Sequence, residues 1–355
     1  MKKTLVALAA LSATAGALAQ SSVTIYGTLD ASVAYVNKST LAVKNSADKV
    51  IGYEAGKSVV LLNDSAITTS RWGMRGTEDL GGGLKANFNL ESDVNMGTGA
   101  NNPAGMFRRS AYVSLASDQY GELRLGRATS VAVGHLVSGG IVAPNNAMHG
   151  TVLLGAGLAA DFFVANAITY ISPSMSGLRA SLQYAPGEQA GDSRAGSSAH
   201  AAVKYQGSNF TLGGAYVNVE DTSAAANDGR KWYTVDGTVT LGQVKLGAAY
   251  YDVNHNPGAV TFNKVDNQGY ILNGSYQLDP KVMLFAGFIK SLQDSSAVTL
   301  QARYALSKRT TVYAMVNHVD NGAEGVNFNP IYIDIPNGAA NAKQTAFATG
   351  VIHSF

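Results

Sequence analysis

The chain has no cysteine among its 355 residues, so it can form neither disulfides nor thiolate metal sites. It also lacks any apolar run approaching the roughly 20 residues that a membrane-spanning helix needs. Proline is scarce, with 8 residues, and no basic patch of the kind that binds nucleic acid is present. No motif implies a cofactor. These absences argue against a disulfide-stapled domain, a helical membrane protein and a nucleic-acid-binding protein.

The first residues have the three parts of a secretory signal peptide. Lys2 and Lys3 form a positive region, residues 5–15 are apolar, and Ala17-Leu18-Ala19 is a cleavage site before Gln20. We therefore expect residues 1–19 to be a signal peptide and residues 20–355 to form one mature domain. The signal contains two of the 26 basic residues and none of the 24 acidic ones, so the mature chain is formally neutral.

Period-2 alternation starts directly after this segment. From Val23 to Tyr35 the odd positions are apolar or small, and from Thr24 to Ser32 the even positions are polar. The same pattern recurs in residues 84–91, 178–184, 244–250, 270–277 and 298–304. A strand of this length, with aromatic residues at the ends of its apolar face, is typical of a strand that crosses a membrane. The fold class is predicted to be all-β, with the apolar face toward lipid.

The chain ends on an alternating strand, residues 345–355, whose last residue is Phe355. In a closed membrane barrel the last strand pairs with the first, and a terminal aromatic ring lies in the interfacial girdle. We expect this strand to close the barrel against residues 23–35.

Short turns alternate with long polar stretches. Seven turns, rich in Gly, Pro, Asn, Asp and Ser, are expected at residues 76–83, 117–121, 172–177, 206–209, 241–243, 278–281 and 306–309. Longer loops are expected at residues 37–58, 96–106, 186–197, 220–229, 254–266 and 320–344. Seven turns joining eight hairpins predict a sixteen-stranded antiparallel transmembrane barrel, with the turns on the periplasmic side.

One connection is unusually long and weakly charged. Residues 130–164 contain His135, His149 and Asp161, and no carboxylate lies between Glu122 and Asp161. A long segment without strand alternation is usually functional. We expect it to fold into the lumen as an inward loop and to narrow the passage.

The sequence resembles the trimeric general porins of Gram-negative outer membranes, particularly the β-proteobacterial and neisserial branch. The resemblance covers the mature chain and rests on residues 22–27, 70–86, 109–115, 121–127 and 306–310 and on the terminal Phe355. The second of these segments reads Ser70-Arg-Trp-Gly-Met-Arg-Gly-Thr-Glu-Asp-Leu-Gly-Gly-Gly-Leu-Lys-Ala86.

This resemblance implies a homotrimer in the outer membrane, surrounded by its lipids, with a third loop in each pore. It implies passive diffusion of ions and small hydrophilic solutes, and an eyelet in which wall arginines face acidic groups on the loop. The motif match assigns Arg71 and Arg109 to that wall. The resemblance also implies that the barrel-assembly machinery reads the strand ending at Phe355.

Three further basic residues, Arg75, Arg124 and Arg127, join Arg71 and Arg109 as candidates for a basic pore wall. Alternation directs Arg71 and Arg75 inward, because it places Trp72 and Met74 on the other face. An alternative is that these arginines are solvated lumen residues or partners for Glu91 and Asp93, which the same alternation directs inward. Since the inward loop has no carboxylate before Asp161, we expect a modest anion preference.

Two other functions remain open. A solute-specific channel, for sugars or carboxylates, predicts a stripe of inward aromatic residues, but the expected inward tyrosines, Tyr26, Tyr233 and Tyr251, are scattered. An outer-membrane barrel hydrolase predicts a Ser/His or Asp/His site, and no Gly-x-Ser-x-Gly elbow is present. The six histidines show no metal-ligand spacing.

Overall fold

The computed structural model describes residues 22–44, 50–101, 105–139, 162–222, 229–255, 265–322, 328 and 342–355. The predicted signal peptide, residues 1–19, lies outside the described residues. The described parts of the chain form strand segments and one helix. They are β1 (Ser22–Lys44), β2 (Val50–Asp64), β3 (Arg71–Gly81), β4 (Leu84–Asp93), β5 (Ser110–Ser117), β6 (Gly121–Thr129), α1 (Val131–Gly139), β7 (Phe163–Ile171), β8 (Leu178–Ala185), β9 (Ser198–Gln206), β10 (Phe210–Val219), β11 (Arg230–Leu241), β12 (Val244–His255), β13 (Val265–Gln277), β14 (Val282–Ser291), β15 (Ser296–Ala305), β16 (Thr310–Asp320) and β17 (Lys343–Ser354).

The strands form one closed antiparallel barrel. β1 pairs with β17 along one edge and with β2 and β3 along the other, and the remaining strands pair with their sequence neighbours. β2 and β3 are two segments of one wall strand, because both pair with the same edge of β1. The barrel therefore has sixteen wall strands, as predicted. Closure leaves the wall without an open edge, which a lipid-embedded sheet requires.

The two faces of the wall differ as the alternation predicts. Val33, Val60 and Leu62 point outward and are more than half exposed on the isolated chain, whereas Ala34 and Val36 point inward and are fully buried. The apolar face is therefore the outer, lipid-facing one. The prediction that Tyr233 points inward is wrong: Tyr233 lies on the outer face, where its ring is 6.2 Å from that of Tyr250, and its neighbour Trp232 points inward.

No helix in the described parts of the chain is long and apolar enough to span a membrane.

Six of the seven predicted turns coincide with a connection between consecutive strands, and the turn predicted at residues 76–83 is shorter, because β3 continues to Gly81 and β4 begins at Leu84. The prediction of a loop at residues 37–58 is wrong, because β1 continues to Lys44 and β2 begins at Val50. Residues 292–295 form a further, short connection between β14 and β15 that the sequence did not reveal. The inward loop begins with α1, a helix that the lack of strand alternation did not predict, and its residues 140–161 lie outside the described residues.

The C-terminal strand closes the barrel as expected. β17 pairs with β1 from Thr28 opposite Ser354 to Val36 opposite Ala346. Beyond this ladder, Phe355 exchanges two backbone hydrogen bonds with Gly27, at 3.1 and 3.2 Å. The Phe355 ring lies directly on Gly27, where a methyl group would overlap it. Gly27 is thus required for the close approach of the terminal ring.

Deletion of Phe355 is expected to lower the yield of folded barrel without changing pore selectivity. Two backbone hydrogen bonds are lost at the closing seam, about 2 kcal/mol in total, while no lumen residue changes. The folded fraction can be measured as the heat-modifiable band on a gel. Gly27→Val keeps Phe355 but displaces its ring, and its side chain also meets the Arg71 backbone carbonyl oxygen, so it should lower the yield at least as much. A normal yield for both variants would contradict this role.

Candidate pore constriction

The inward helix starts at a hydrogen-bonded cap. The Ser130 hydroxyl accepts a hydrogen bond from the Val133 backbone N–H at 3.3 Å, the usual contact of a serine N-cap. The same hydroxyl lies 2.8 Å from Nδ1 of His200 on β9, and the Val131 backbone N–H donates to Gln183 of β8 at 3.3 Å. The cap therefore joins the start of α1 to the inner barrel wall.

His135 provides the second attachment of α1. Its Nε2 lies 2.6 Å from Oδ2 of Asp236 on β11, and both side chains are buried. The His135 ring packs on Gly213 of β10, where an added methyl group would overlap it. His135 was expected to lie in the inward loop, and the structure places it between the loop helix and the wall.

The face of α1 that meets the wall is apolar. Ala132, Val133 and Leu136 are buried and belong to one cluster with inward residues of the wall. Those residues are Ala215, Val217, Trp232, Ala249, Tyr251, Val253, Ile271, Phe285, Ile289, Ala297 and Val319, together with Phe328. Burial of this surface stabilises α1 against one side of the lumen, so the open passage lies on its other side.

A lumen cavity of about 860 Å³ lies beside α1. The helix contributes Gly134, Val137 and Ser138, which carry no charge. The facing wall, from β14 through β1 to β5, contributes four cationic side chains and one carboxylate: Arg71, Arg109, Lys281 and Arg303, and Glu91. The narrowed passage is therefore basic on one side and neutral on the other.

Arg109 lies at the centre of an ion-pair cluster next to this cavity. Its Nε is 2.6 Å from Oε1 of Glu91, and its Nη1 is 2.9 Å from Oδ1 of Asp93. The second oxygen of Asp93 pairs with Arg108 at 2.6 Å. The cluster is largely shielded from solvent, and charge-assisted bonds of this kind are strong. Each carboxylate thus has a close cationic partner.

Arg71 and Arg109 meet at Glu91. Oε2 of Glu91 accepts a hydrogen bond from the Tyr26 hydroxyl at 2.9 Å and lies 3.8 Å from Nε of Arg71. The motif match had selected both arginines, and alternation had directed Glu91 and Asp93 inward, so the sequence located the main members of this group. It missed Arg108, which lies in the connection before β5.

Arg75 and Arg124 point inward but do not line the cavity. The Arg75 guanidinium stacks 4.9 Å above the Tyr26 ring. Arg124 pairs with Glu122 at 2.8 Å and stacks 4.9 Å above the ring of Tyr112. Both belong to the lumen wall nearer the short turns, away from the α1 passage.

The Arg127 side chain is not part of the ion-pair cluster around Arg109. The β6–β7 pairing is irregular between Gly126 and Ala128, and Nε of Arg127 donates to the backbone carbonyl of Arg108. Arg127 therefore supports the connection that carries Arg108 and Arg109.

Two cavity-lining cations were not among the sequence candidates. Arg303 on β15 donates from Nε to Gln301 at 2.8 Å, and Lys281 belongs to the turn before β14. The alternation of residues 298–304 had already placed Arg303 on the polar face, but no motif singled it out.

The remaining candidates on the inward loop, His149 and Asp161, lie outside the described residues. Within the described ranges, no group of three or more His, Asp or Glu side chains is arranged to hold a metal ion.

Comparison with known protein sequences finds outer membrane porins that are similar over most or all of the chain. The chain is 33% identical to outer membrane porin protein 32 of Delftia acidovorans and 30% identical to an outer membrane porin protein of Bordetella pertussis, in both cases over all of both chains. It is 27% identical to the major outer membrane protein P.IB of Neisseria meningitidis, over 91% of this chain and 94% of the relative.

Among solved structures, the fold is similar to that of the anion-selective porin from Comamonas acidovorans, with a TM-score of 0.74 and 26% identity over 95% of this chain and 100% of that one. The family model for the Gram-negative porin matches residues 7–324. The chain therefore belongs to the Gram-negative porin family, and it is a multi-pass β-barrel porin of the outer membrane.

Proposed function

We propose that this porin is a general diffusion channel for ions and small hydrophilic solutes, with a modest preference for anions. One observation carries the proposal: the cavity beside α1 is lined by four cationic side chains and one carboxylate, while the described face of α1 is uncharged. Charged groups at a constriction favour ions of opposite sign. The similarity to a solved porin named as anion-selective supports the same direction.

The mechanism is passive. A water-filled lumen removes most of the cost of carrying a polar solute through hydrocarbon. α1 limits the size of solutes, and the basic wall raises the local concentration of anions. Transport of this kind needs no cofactor and no turnover.

The test is the reversal potential of the wild-type channel in a planar bilayer under a KCl gradient. A unit charge about 7 Å from the ion path is worth about 0.6 kcal/mol in water, roughly a threefold bias. Screening weakens the effect as salt rises, so it should be largest at about 0.1 M, where the Debye length is about 10 Å. A clear cation preference at low salt would overturn the proposal.

The Lys281→Gln/Arg303→Gln double variant should shift the reversal potential toward zero, because it removes two of the four cavity-lining cations. Each charge changes anion and cation permeability by about threefold in opposite directions before screening, so the expected loss is about sevenfold in their ratio for each charge. Lys85→Gln is the matched control. Lys85 is exposed beside the turn between β3 and β4 and does not line the cavity, so its removal should leave the potential almost unchanged.

The side chains of the lumen give less support to the two alternative functions, a sugar-specific channel and a hydrolase. Four inward aromatic side chains, Trp232, Tyr251, Phe285 and Tyr313, are buried under other groups and offer no sliding surface to a sugar. A hydrolase needs an accessible nucleophile, but Ser130, which contacts His200, is fully buried and caps α1. We therefore favour a channel without catalytic activity.

We further propose that the chain acts as a homotrimer in the outer membrane, with lipid around the assembly, and that the barrel-assembly machinery recognises the strand ending at Phe355. The apolar outer surface of β1 and β2, with Val33, Val60 and Leu62 exposed, supports contact with lipid or with another subunit. The unheated gel band used for the Phe355 deletion also reports the mass of the assembly, and a monomer-sized band after mild extraction would argue against the trimer.

A further inference from the structure

The wall strand formed by β2 and β3 carries an insert. Asp64 pairs with Ala31 of β1, and Arg71 pairs with Thr28. Two residues of β1 therefore face the six residues 65–70, which we call the 65–70 insert. An irregular segment in a membrane wall needs partners for its backbone groups, and it is tolerated only where protein or a water-filled lumen surrounds it.

The insert folds into the barrel. Ala66 and Ile67 are buried in a cluster with inward side chains of β1, β16 and β17, namely Ala34, Val36, Tyr313, Met315, Ala346 and Ala348. Ile67, Thr68 and Thr69 line the same cavity as the uncharged face of α1. The cavity is thus bordered by two inward elements, α1 and the insert.

One buried carboxylate holds the insert in place. Oδ2 of Asp30 accepts hydrogen bonds from the backbone N–H groups of Ile67, at 2.7 Å, and Thr68, at 2.8 Å. Its Oδ1 accepts a hydrogen bond from the Tyr313 hydroxyl at 2.6 Å. The Asp30 side chain is fully buried, so these three donors replace water around the carboxylate. The Asp30 carboxylate thereby satisfies two backbone N–H groups of the insert, while the Ser65 N–H donates to the Asp30 backbone carbonyl at 2.8 Å.

The insert in turn holds Arg71. Nη1 of Arg71 donates to the Thr69 backbone carbonyl at 2.8 Å and to the Thr68 hydroxyl at 3.2 Å. Nε of Arg71 is 3.8 Å from Glu91, farther than the 2.6 Å between Arg109 and Glu91. The guanidinium is therefore fixed mainly by the insert, and its charge stays at the cavity wall.

We propose that the 65–70 insert is a second constriction element, and that Asp30 is a positioning residue that sets the direction of Arg71. The first part concerns pore size and is independent of ion preference. The second part rests on the proposed function, because it assigns to a carboxylate the role of maintaining a basic wall.

The proposed role of Asp30 predicts that loss of its negative charge changes ion preference in the direction opposite to the electrostatic effect of that charge. If Asp30 acted only through its field, its removal would increase anion preference, since a negative charge would be lost. If Asp30 acts through the insert, its removal frees Arg71 to move toward Glu91, and anion preference should fall.

Pore narrowing can be tested with a single cysteine, because the natural chain has none. The Thr68→Cys channel should lose a large part of its conductance when a small neutral thiol reagent is added during recording. Thr77→Cys is the matched control: Thr77 points inward on the same strand, is exposed, and lies outside the α1 cavity. Equal effects at both sites, or no effect at Thr68→Cys after labelling is confirmed by mass spectrometry, would overturn the constriction role.

The positioning role is tested by comparing Asp30→Ala with Asp30→Asn. Asparagine keeps an oxygen for the two backbone donors and a polar group beside Tyr313, whereas alanine keeps neither. Asp30→Ala should raise conductance and lower the anion-to-cation permeability ratio severalfold, while Asp30→Asn should not lower the ratio. If both variants raise the ratio equally with unchanged conductance, Asp30 acts only as a charge and the proposal fails.

If Asp30→Ala does not fold, Thr68→Val supplies the test, because it removes the hydroxyl that accepts from Arg71 and keeps the Asp30 bonds. It should lower the permeability ratio slightly, and an unchanged ratio would contradict the positioning role. A cation-selective wild type would overturn the proposed anion preference, whereas the thiol experiment would still decide the constriction role.

Discussion

An Arg109→Ala channel is expected to lose its anion preference and much of its stability. Arg109 bridges Glu91 and Asp93, at 2.6 and 2.9 Å, and lines the cavity. Alanine removes a cation from the wall and leaves Glu91 with only the more distant Arg71, at 3.8 Å. Asp93 keeps Arg108 at 2.6 Å, so the wall becomes more negative by one charge. Breaking a shielded ion pair by removing one partner costs about 3–5 kcal/mol. We expect a free-energy cost at the lower end of this range, because the cluster lies beside a water-filled lumen.

Two measurements check this prediction. The reversal potential should move from the anion side to zero or beyond, and the temperature at which the folded gel band disappears should fall. The difference from the wild type should shrink between about 0.1 M and 1 M KCl, as the Debye length falls from about 10 Å to about 3 Å.

Arg75→Ala is a matched control, because Arg75 stacks on Tyr26 and does not line the cavity. The triple variant Arg109→Ala/Glu91→Gln/Asp93→Asn should recover much of the anion preference, since the uncovered carboxylates are gone. An Arg109→Ala channel with wild-type selectivity and stability would show that the cluster contributes to neither.

The turns were predictable because their signals are local. Each of the seven predicted turns contains residues that favour tight turns, and the strands on both sides alternate. The prediction of a polar loop at residues 37–58 was wrong for a related reason. Beyond the membrane a strand needs backbone pairing but no apolar face, so β1 and β2 continue there without the pattern that identified them elsewhere.

The period-2 alternation of the sequence did not reveal the 65–70 insert, and the reason is geometric. It adds four residues relative to β1, and an even number of extra residues keeps the same parity on both sides. Val60 and Leu62 before the insert and Trp72 and Met74 after it are all even-numbered outward residues. Alternation therefore predicts the facing of Arg71 correctly and gives no sign of the break.

The constriction was only partly predictable. Motif and alternation found Arg71, Arg109 and their carboxylate partners, because facing is a local property. Whether an inward cation such as Arg303 or Arg124 reaches the cavity depends on its height in the barrel, which the register of all the strands sets together. The helix α1 was missed because it has no charged residue and no polar face toward bulk solvent, although Ser130 offered an N-cap signal.

His135→Ala is expected to detach α1 from the wall and make the channel current unstable. The substitution removes the partner of Asp236, whose buried side chain would then lack its 2.6 Å contact. Leaving a buried polar group without its hydrogen-bond partner costs about 1–3 kcal/mol, which is large for a helix of nine residues. The Ser130 cap would remain as the main polar attachment, so the helix should move in and out of the passage.

The measurement is single-channel recording, in which His135→Ala should show greater open-channel noise and frequent closures. Asp236→Asn retains a hydrogen-bonding group for His135 and should behave almost as the wild type. Gly213→Ala tests the same contact from the wall, because the added methyl group would overlap the His135 ring, although it also meets the Val203 backbone carbonyl oxygen at 2.7 Å. Gly214→Ala is its control, since there a methyl group meets a backbone carbonyl oxygen at a similar distance, 2.8 Å from that of Thr234, and does not meet His135. Quiet channels for both His135→Ala and Gly213→Ala would mean that the apolar face of α1 alone holds it, because Ala132, Val133 and Leu136 would then outweigh the loss of the polar contact.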